Sequence, residues 1–191
     1  MRRVVLVTSL AAALSSAAAR AQVSVPDSAL TGAAIGGVRV CQPLDSVNAL
    51  YPAAQDTMLF GVGSGIRWPG KVAKLGEGQW LFVEASFVDR TRVWRISTTS
   101  PAFVTASGLR VGSSVADVLA ARERMTFTFP EGVPVVRLSK EGISFQVDDS
   151  SAARFSRTWS GQGSPRAALP LSARIKRIIV SGRCRGGRAG T

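Results

Sequence analysis

The chain of 191 residues contains no histidine. That excludes Ser-His-Asp and Cys-His catalysis, in which imidazole moves the proton. A Ser-x-x-Lys arrangement is missing too. Cysteine occurs only at Cys41 and Cys184, too few and too far apart for a metal cage, so no metal and no cofactor are expected. Carboxylates are scarce: 12 acidic residues stand against 24 basic ones, for a formal charge of +12. Such a surplus attracts anionic partners. Only four of the 24 basic residues are lysine, an arginine bias that a GC-rich genome also produces.

What is present begins with Arg2-Arg3, an apolar run from Val4 to Leu14, and small residues closing on Ala19-Arg20-Ala21. A positive n-region, an h-region and an Ala-x-Ala site make residues 1–21 an expected signal peptide. Arg20 and the shortness of the run argue against an anchor, so no membrane span is expected after cleavage. The chain is read as exported, to the periplasm or beyond the cell. In that compartment Cys41 and Cys184 are expected to form a disulfide.

Residues 22–37 are small and polar and read as a lead-in. Beyond them the chain repeats itself. Gly108-Leu-Arg-Val-Gly112-Ser-Ser114-Val-Ala-Asp117-Val118 predicts strand, turn and helix, with Gly112 for the turn and Ser114 and Asp117 for a capping box. Its echo runs from Val38 to Tyr51, pairing Val47 with Val118; there Pro43 opens the helix and Pro52 ends it. Later segments also match: Val72 to Phe82 with Val135 to Phe145, each with a Glu-Gly turn, and Arg92-Val-Trp-Arg-Ile96 with Arg174-Ile-Lys-Arg-Ile178. The expected fold is therefore α+β: tandem helix-plus-antiparallel-strand units, 38–104 and 105–185, forming one sheet with helices on one face. The second unit carries an insertion at 149–172, and residues 186–191 form a basic tail.

Gly112-Ser-Ser-Val-Ala-Asp-Val118 resembles the Gly-x-[Ser/Thr]-x-x-[Glu/Asp]-Val signature of the beta-lactamase inhibitor protein and of small outer-membrane assembly lipoproteins. The first copy departs from it, with Cys41 for glycine and Pro43 for the hydroxyl residue. The resemblance implies a binding protein without catalytic residues, and transfers no contact residue. The stretch from Ile96 to Val118 also resembles uncharacterised secreted bacterial proteins.

Gly65 to Lys71 nearly spells a P-loop, but Val72 stands where a hydroxyl is needed and Pro69 removes a backbone donor. Glu84, Asp89, Asp117, Glu131, Asp148 and Asp149 are the carboxylates from which an acid/base pair could be drawn. Trp80, Phe82 and Phe145 are expected to fill the covered face of the sheet. Trp94, echoed by Lys176, is expected to face solvent or a partner. The expected function is a non-catalytic binding or envelope-associated protein; the alternative is a secreted hydrolase using carboxylates. The candidate binding residues are Arg92, Trp94, Arg95, Arg174 and Arg177 on the strands, and Arg154, Arg157 and Trp159 in the insertion. The expected partner is an acidic protein or an anionic envelope component, ahead of nucleic acid.

Overall fold

The computed structural model describes residues 27–60, 67–86, 88–121, 124–128, 133–148 and 170–184. Three short strands come first: β1 (Ala29–Thr31), β2 (Ala34–Ile35) and β3 (Val38–Arg39). A 3-10 turn at Leu44–Ser46 leads into α1 (Val47–Leu50). Then follow β4 (Gln55–Phe60), β5 (Arg67–Gly76), β6 (Gln79–Ala85), β7 (Val93–Thr98) and β8 (Val104–Thr105). Helix α2 (Val115–Ala120) precedes β9 (Met125–Thr128), β10 (Val135–Leu138), β11 (Ile143–Val147) and β12 (Ile175–Ser181).

The α+β expectation is overturned. The structure is mainly β, with a four-stranded sheet β3-β2-β1-β8 and an eight-stranded sheet β4-β5-β6-β7-β12-β11-β10-β9. Helices of four and six residues are too short to form a layer over the larger sheet. Pro52 stops the first just beyond Tyr51, and the apolar stripe of the second is only Val115 and Val118 deep. The small sheet covers the core instead, with β2 and β3 against β7. Residues 27–37 are accordingly more than a lead-in: Leu30 and Ile35 lie in the same core cluster as Val47 and Val118.

One row of side chains explains why the large sheet has a single greasy face. Met125, Leu138, Ile143, Val180, Ile96 and Val83 oppose one another strand by strand, and all but Met125 are buried. The row ends at Lys71 and Asp56, which are also paired in register. Buried Tyr51 donates from its hydroxyl to the Gly36 carbonyl at 2.8 Å. Burial, reinforced by the charge of Asp27, raises its phenol to about 12. Gly36 is at φ +59, and a side chain there would collide with the Tyr51 hydroxyl and the Phe103 ring.

The same main-chain bonds recur on the two sides of the β7–β12 seam. Cys41 N–H donates to Val93 O at 2.7 Å, as Gly112 does to Ile175 at 2.8 Å. Val93 returns a bond to Gln42, and Ile175 to Ser113, both at 2.9 Å. Leu44 donates to Thr91, and Val115 to Ala173. One expected equivalence fails: Val83, not Phe82, matches Phe145, because Val83 opposes Ile96 as Phe145 opposes Ile178. The first hairpin holds an irregularity between Lys74 and Gly76 that has no counterpart in the β10–β11 register. One extra residue turns every later side chain to the opposite face. Trp80 and Phe82 therefore leave the core side, while Phe145 is fully buried there.

Candidate functional site

The site lies on the other face of the large sheet. Strand residues there are half-buried or exposed except Gly70, Glu84 and Ser97. Glu84 is the focus. It sits opposite Arg95 in the β6–β7 register, and Arg95 Nε donates to its Oε1 at 2.8 Å while a terminal nitrogen of Arg95 donates to Oε2. Trp68 Nε1 donates to the same Oε2 at 2.9 Å. With only 6 % of Glu84 exposed, these three donors supply the compensation a desolvated carboxylate requires.

Two indoles frame the ion pair. Trp68 and Trp94 meet edge to face with centroids 6.2 Å apart. The Arg95 guanidinium carbon is 5.0 Å from the Trp94 centroid and 5.9 Å from that of Trp68. Trp94 reaches the cluster because the register shifts between Glu84 and Ala85, so Arg95 opposes Glu84 and Val93 opposes Ala85, with Trp94 as the extra residue. The same irregularity recurs between Gln146 and Val147, with Lys176 as the extra residue. Bulges thus resolve the spacing-three arginines of both strands.

The four strand arginines divide. Arg92 donates to Cys41 O at 2.9 Å and pairs with Asp89 at 3.5 Å. Arg174 donates to Gly112 O at 3.1 Å. These two fasten turns and are not gathered at the site. Arg95 and Arg177 are: Arg177 Cζ lies 4.8 Å from the Phe82 centroid, on the same face. Burial lowers the Arg177 guanidinium from its ordinary value; Glu84 opposes that fall and Arg95 adds to it. Arg154, Arg157 and Trp159 lie outside the described residues.

Trp68, Glu84 and Phe82, the last expected in the core, are members that sequence reasoning did not assign to a binding site. Trp68 was hidden inside an apparent glycine loop, although alternation from Trp68 through Gly70 to Val72 carries the strand back to Arg67. Glu84 stood only among candidate acids. Its partner becomes visible only when two strands are set in register.

A hollow of about 520 Å³ lies at the α1 end, lined by Leu44, Asp45, Asp56, Met58, Arg90 and Thr91 among others. Its carboxylates turn toward buried Lys71, at 2.5 Å for Asp56 and 3.9 Å for Asp45. Of the other carboxylates weighed as acids, Asp89 accepts from Thr91, Asp117 accepts from Ser114 and Asp148 is also engaged, while Glu131 and Asp149 lie outside the described residues. Cys41 and Cys184 form the expected disulfide, with Cα atoms 5.3 Å apart. Among the described residues no cluster of metal-binding side chains occurs, and no helix is long and apolar enough to cross a membrane.

No family model matches the chain, and no curated protein matches it in sequence. A solved structure with a similar fold is the crystal structure of the uncharacterized protein yfeY from Escherichia coli. The two are 15% identical with a TM-score of 0.55, over 80% of this chain and 99% of that one. At that identity the likeness shows the fold alone.

Proposed function

We propose that the chain is an exported, non-catalytic binding protein that presents the open face of its eight-stranded sheet to an acidic protein partner. The observation that carries this reading is the charge balance of the face. Its described strand positions include Lys74, Arg95, Arg137 and Arg177, and the carboxylate among them is Glu84, which Arg95 already neutralises. Trp68, Trp80, Phe82 and Trp94 lie between these charges. Arginine with aromatic rings on a stiff support is the composition that concentrates binding energy at protein interfaces. A disulfide linking residues 143 apart supports the export reading, since such bonds persist in oxidising compartments. The signal-peptide reading of residues 1–21 and the resemblance to inhibitor-type binding proteins point the same way.

The test is capture from envelope extract with the purified chain as bait, comparing two triple variants of equal charge. K74S/R137S/R177S removes basic groups from the face. R110S/R124S/K140S removes three exposed ones outside its strands. The expected result is an acidic protein, identified by mass, whose capture falls about tenfold or more with the first variant and changes little with the second. Equal capture by both variants would count against the face as the binding surface.

A further inference from the structure

We infer that Arg177 is the residue of that face that receives a carboxylate from the acidic partner, at the position where the first half of the sheet supplies its own carboxylate in Glu84. The inference rests on the binding reading above and adds the contact chemistry. It comes from setting the halves side by side. Arg95 and Arg177 occupy matching positions, each next to a bulge residue and each followed by a buried isoleucine, Ile96 or Ile178. Across from Arg95 stands Glu84. Across from Arg177 stands Gln146, which is uncharged.

Among the described residues the first half is therefore complete within itself, whereas the second has a guanidinium with no acid opposite it. Glu84 carries a single charge and already accepts three hydrogen bonds from Arg95 and Trp68, so it acts on Arg177 only through space. Among the described residues Arg177 has the Phe82 ring beneath it and the uncharged Gln146 opposite it. The planar cation is thus held on an aromatic platform, and its forked N–H groups suit a planar carboxylate. The group is half-buried, which increases what a partner anion would gain there.

A protein carboxylate fits this face better than a lipid headgroup. The large hydrophobic residues exposed among the described ones are Met58, Val88 and Leu171, and none belongs to the open-face rows around Arg177. Exposed apolar groups of the kind that bury into a bilayer interface are thus not on these rows among the described residues.

The experiment titrates poly-glutamate into the purified chain at low ionic strength. Gln146→Glu is the decisive variant, because it gives Arg177 an internal acid of the kind Arg95 has. It is expected to weaken poly-glutamate binding about tenfold, with the thermal midpoint unchanged or raised. Arg177→Gln should weaken it as much, Arg177→Lys less, and Arg110→Gln, which loses the same charge off the face, less than about twofold. Wild-type binding in Q146E, or equal losses in R177Q and R110Q, would overturn the assignment. So would Arg177-dependent binding to phosphatidylglycerol vesicles with poly-glutamate binding independent of Arg177. If K74S/R137S/R177S loses its captured partner while Q146E binds poly-glutamate normally, the face stands and the Arg177 assignment falls. If Q146E behaves as expected while capture is unaffected, the anion contact stands and the acidic-partner reading falls.

Discussion

Residues 47–98 and 115–181 run through the same order of elements, a short helix and four antiparallel strands, yet they differ in what they place on the two faces of the sheet. Their backbones agree closely at the turn before each helix, where the hydrogen bonds of Cys41, Gln42 and Leu44 reappear at Gly112, Ser113 and Val115. Their side chains do not. The first half has an ion pair among indoles where the second has Gln146 and an arginine on a ring, and it has Lys71 where the second has Val136. Backbone geometry follows from hydrogen bonding that many sequences satisfy, whereas an exposed face is free to diverge. Divergence on that face is where recognition is to be sought.

The largest expected effect breaks the comparison at its most unequal position. Cys41 is at φ 71, in the region glycine prefers, and its counterpart Gly112 is at φ 92. C41S/C184S should lower stability by up to about 5 kcal/mol on the chain-entropy account of a bridge between residues 143 apart. C41G/C184S should recover roughly 1 kcal/mol of that, because glycine accepts the left-handed conformation. Denaturant melts of both variants check this. Equal midpoints would show that position 41 is not strained as its counterpart implies.

A smaller effect is expected at the ion pair. Glu84→Gln leaves the Arg95 guanidinium half-buried without its acid, and should cost about 3 kcal/mol in the same melts. The converse change in the other half, Q146E, should cost nothing. A loss below about 1 kcal/mol for E84Q would mean that solvent already compensates Arg95, and would weaken the contrast between the halves.

The smallest concerns the helix starts. Ser114 and Asp117 form a complete capping box at α2, while Pro43 gives the first helical turn no side-chain cap. Ser114→Ala should cost about 1 kcal/mol. The Ser114 hydroxyl, then its backbone N–H, holds the Asp117 carboxyl below its ordinary value. The folded chain therefore binds that proton less readily than the unfolded one. Its contribution is present above the usual aspartate range and is lost as pH falls through the lower folded value. An acid titration of stability should show this loss in wild type and a reduced one in S114A; identical profiles would remove the box from the account.

Much of the backbone was legible in the sequence because turns are local chemistry. Gly112, the Ser114–Asp117 box and the Glu-Gly turns at Gly78 and Gly142 each specify a conformation within four residues. The pairing of Cys41 with Cys184 was legible for a different reason: two cysteines in a chain read as exported leave one intramolecular partner each. Neither fact required knowing what packs on what.

Faces and layers were decided by tertiary structure. A single residue at the Lys74–Gly76 irregularity moved Trp80 and Phe82 off the core side, and no count along the sequence reveals on which strand a bulge falls. The helices gave way to β1–β3 as the cover of the core because burial is set by total contact, and two short apolar stripes bury too little. The arginines were visible as a group in the sequence, but their division into turn fasteners, an ion pair and a cation opposite an uncharged glutamine depends on which strand lies opposite each one. Cross-strand register is a long-range property, and it placed Glu84 against Arg95 and Gln146 against Arg177.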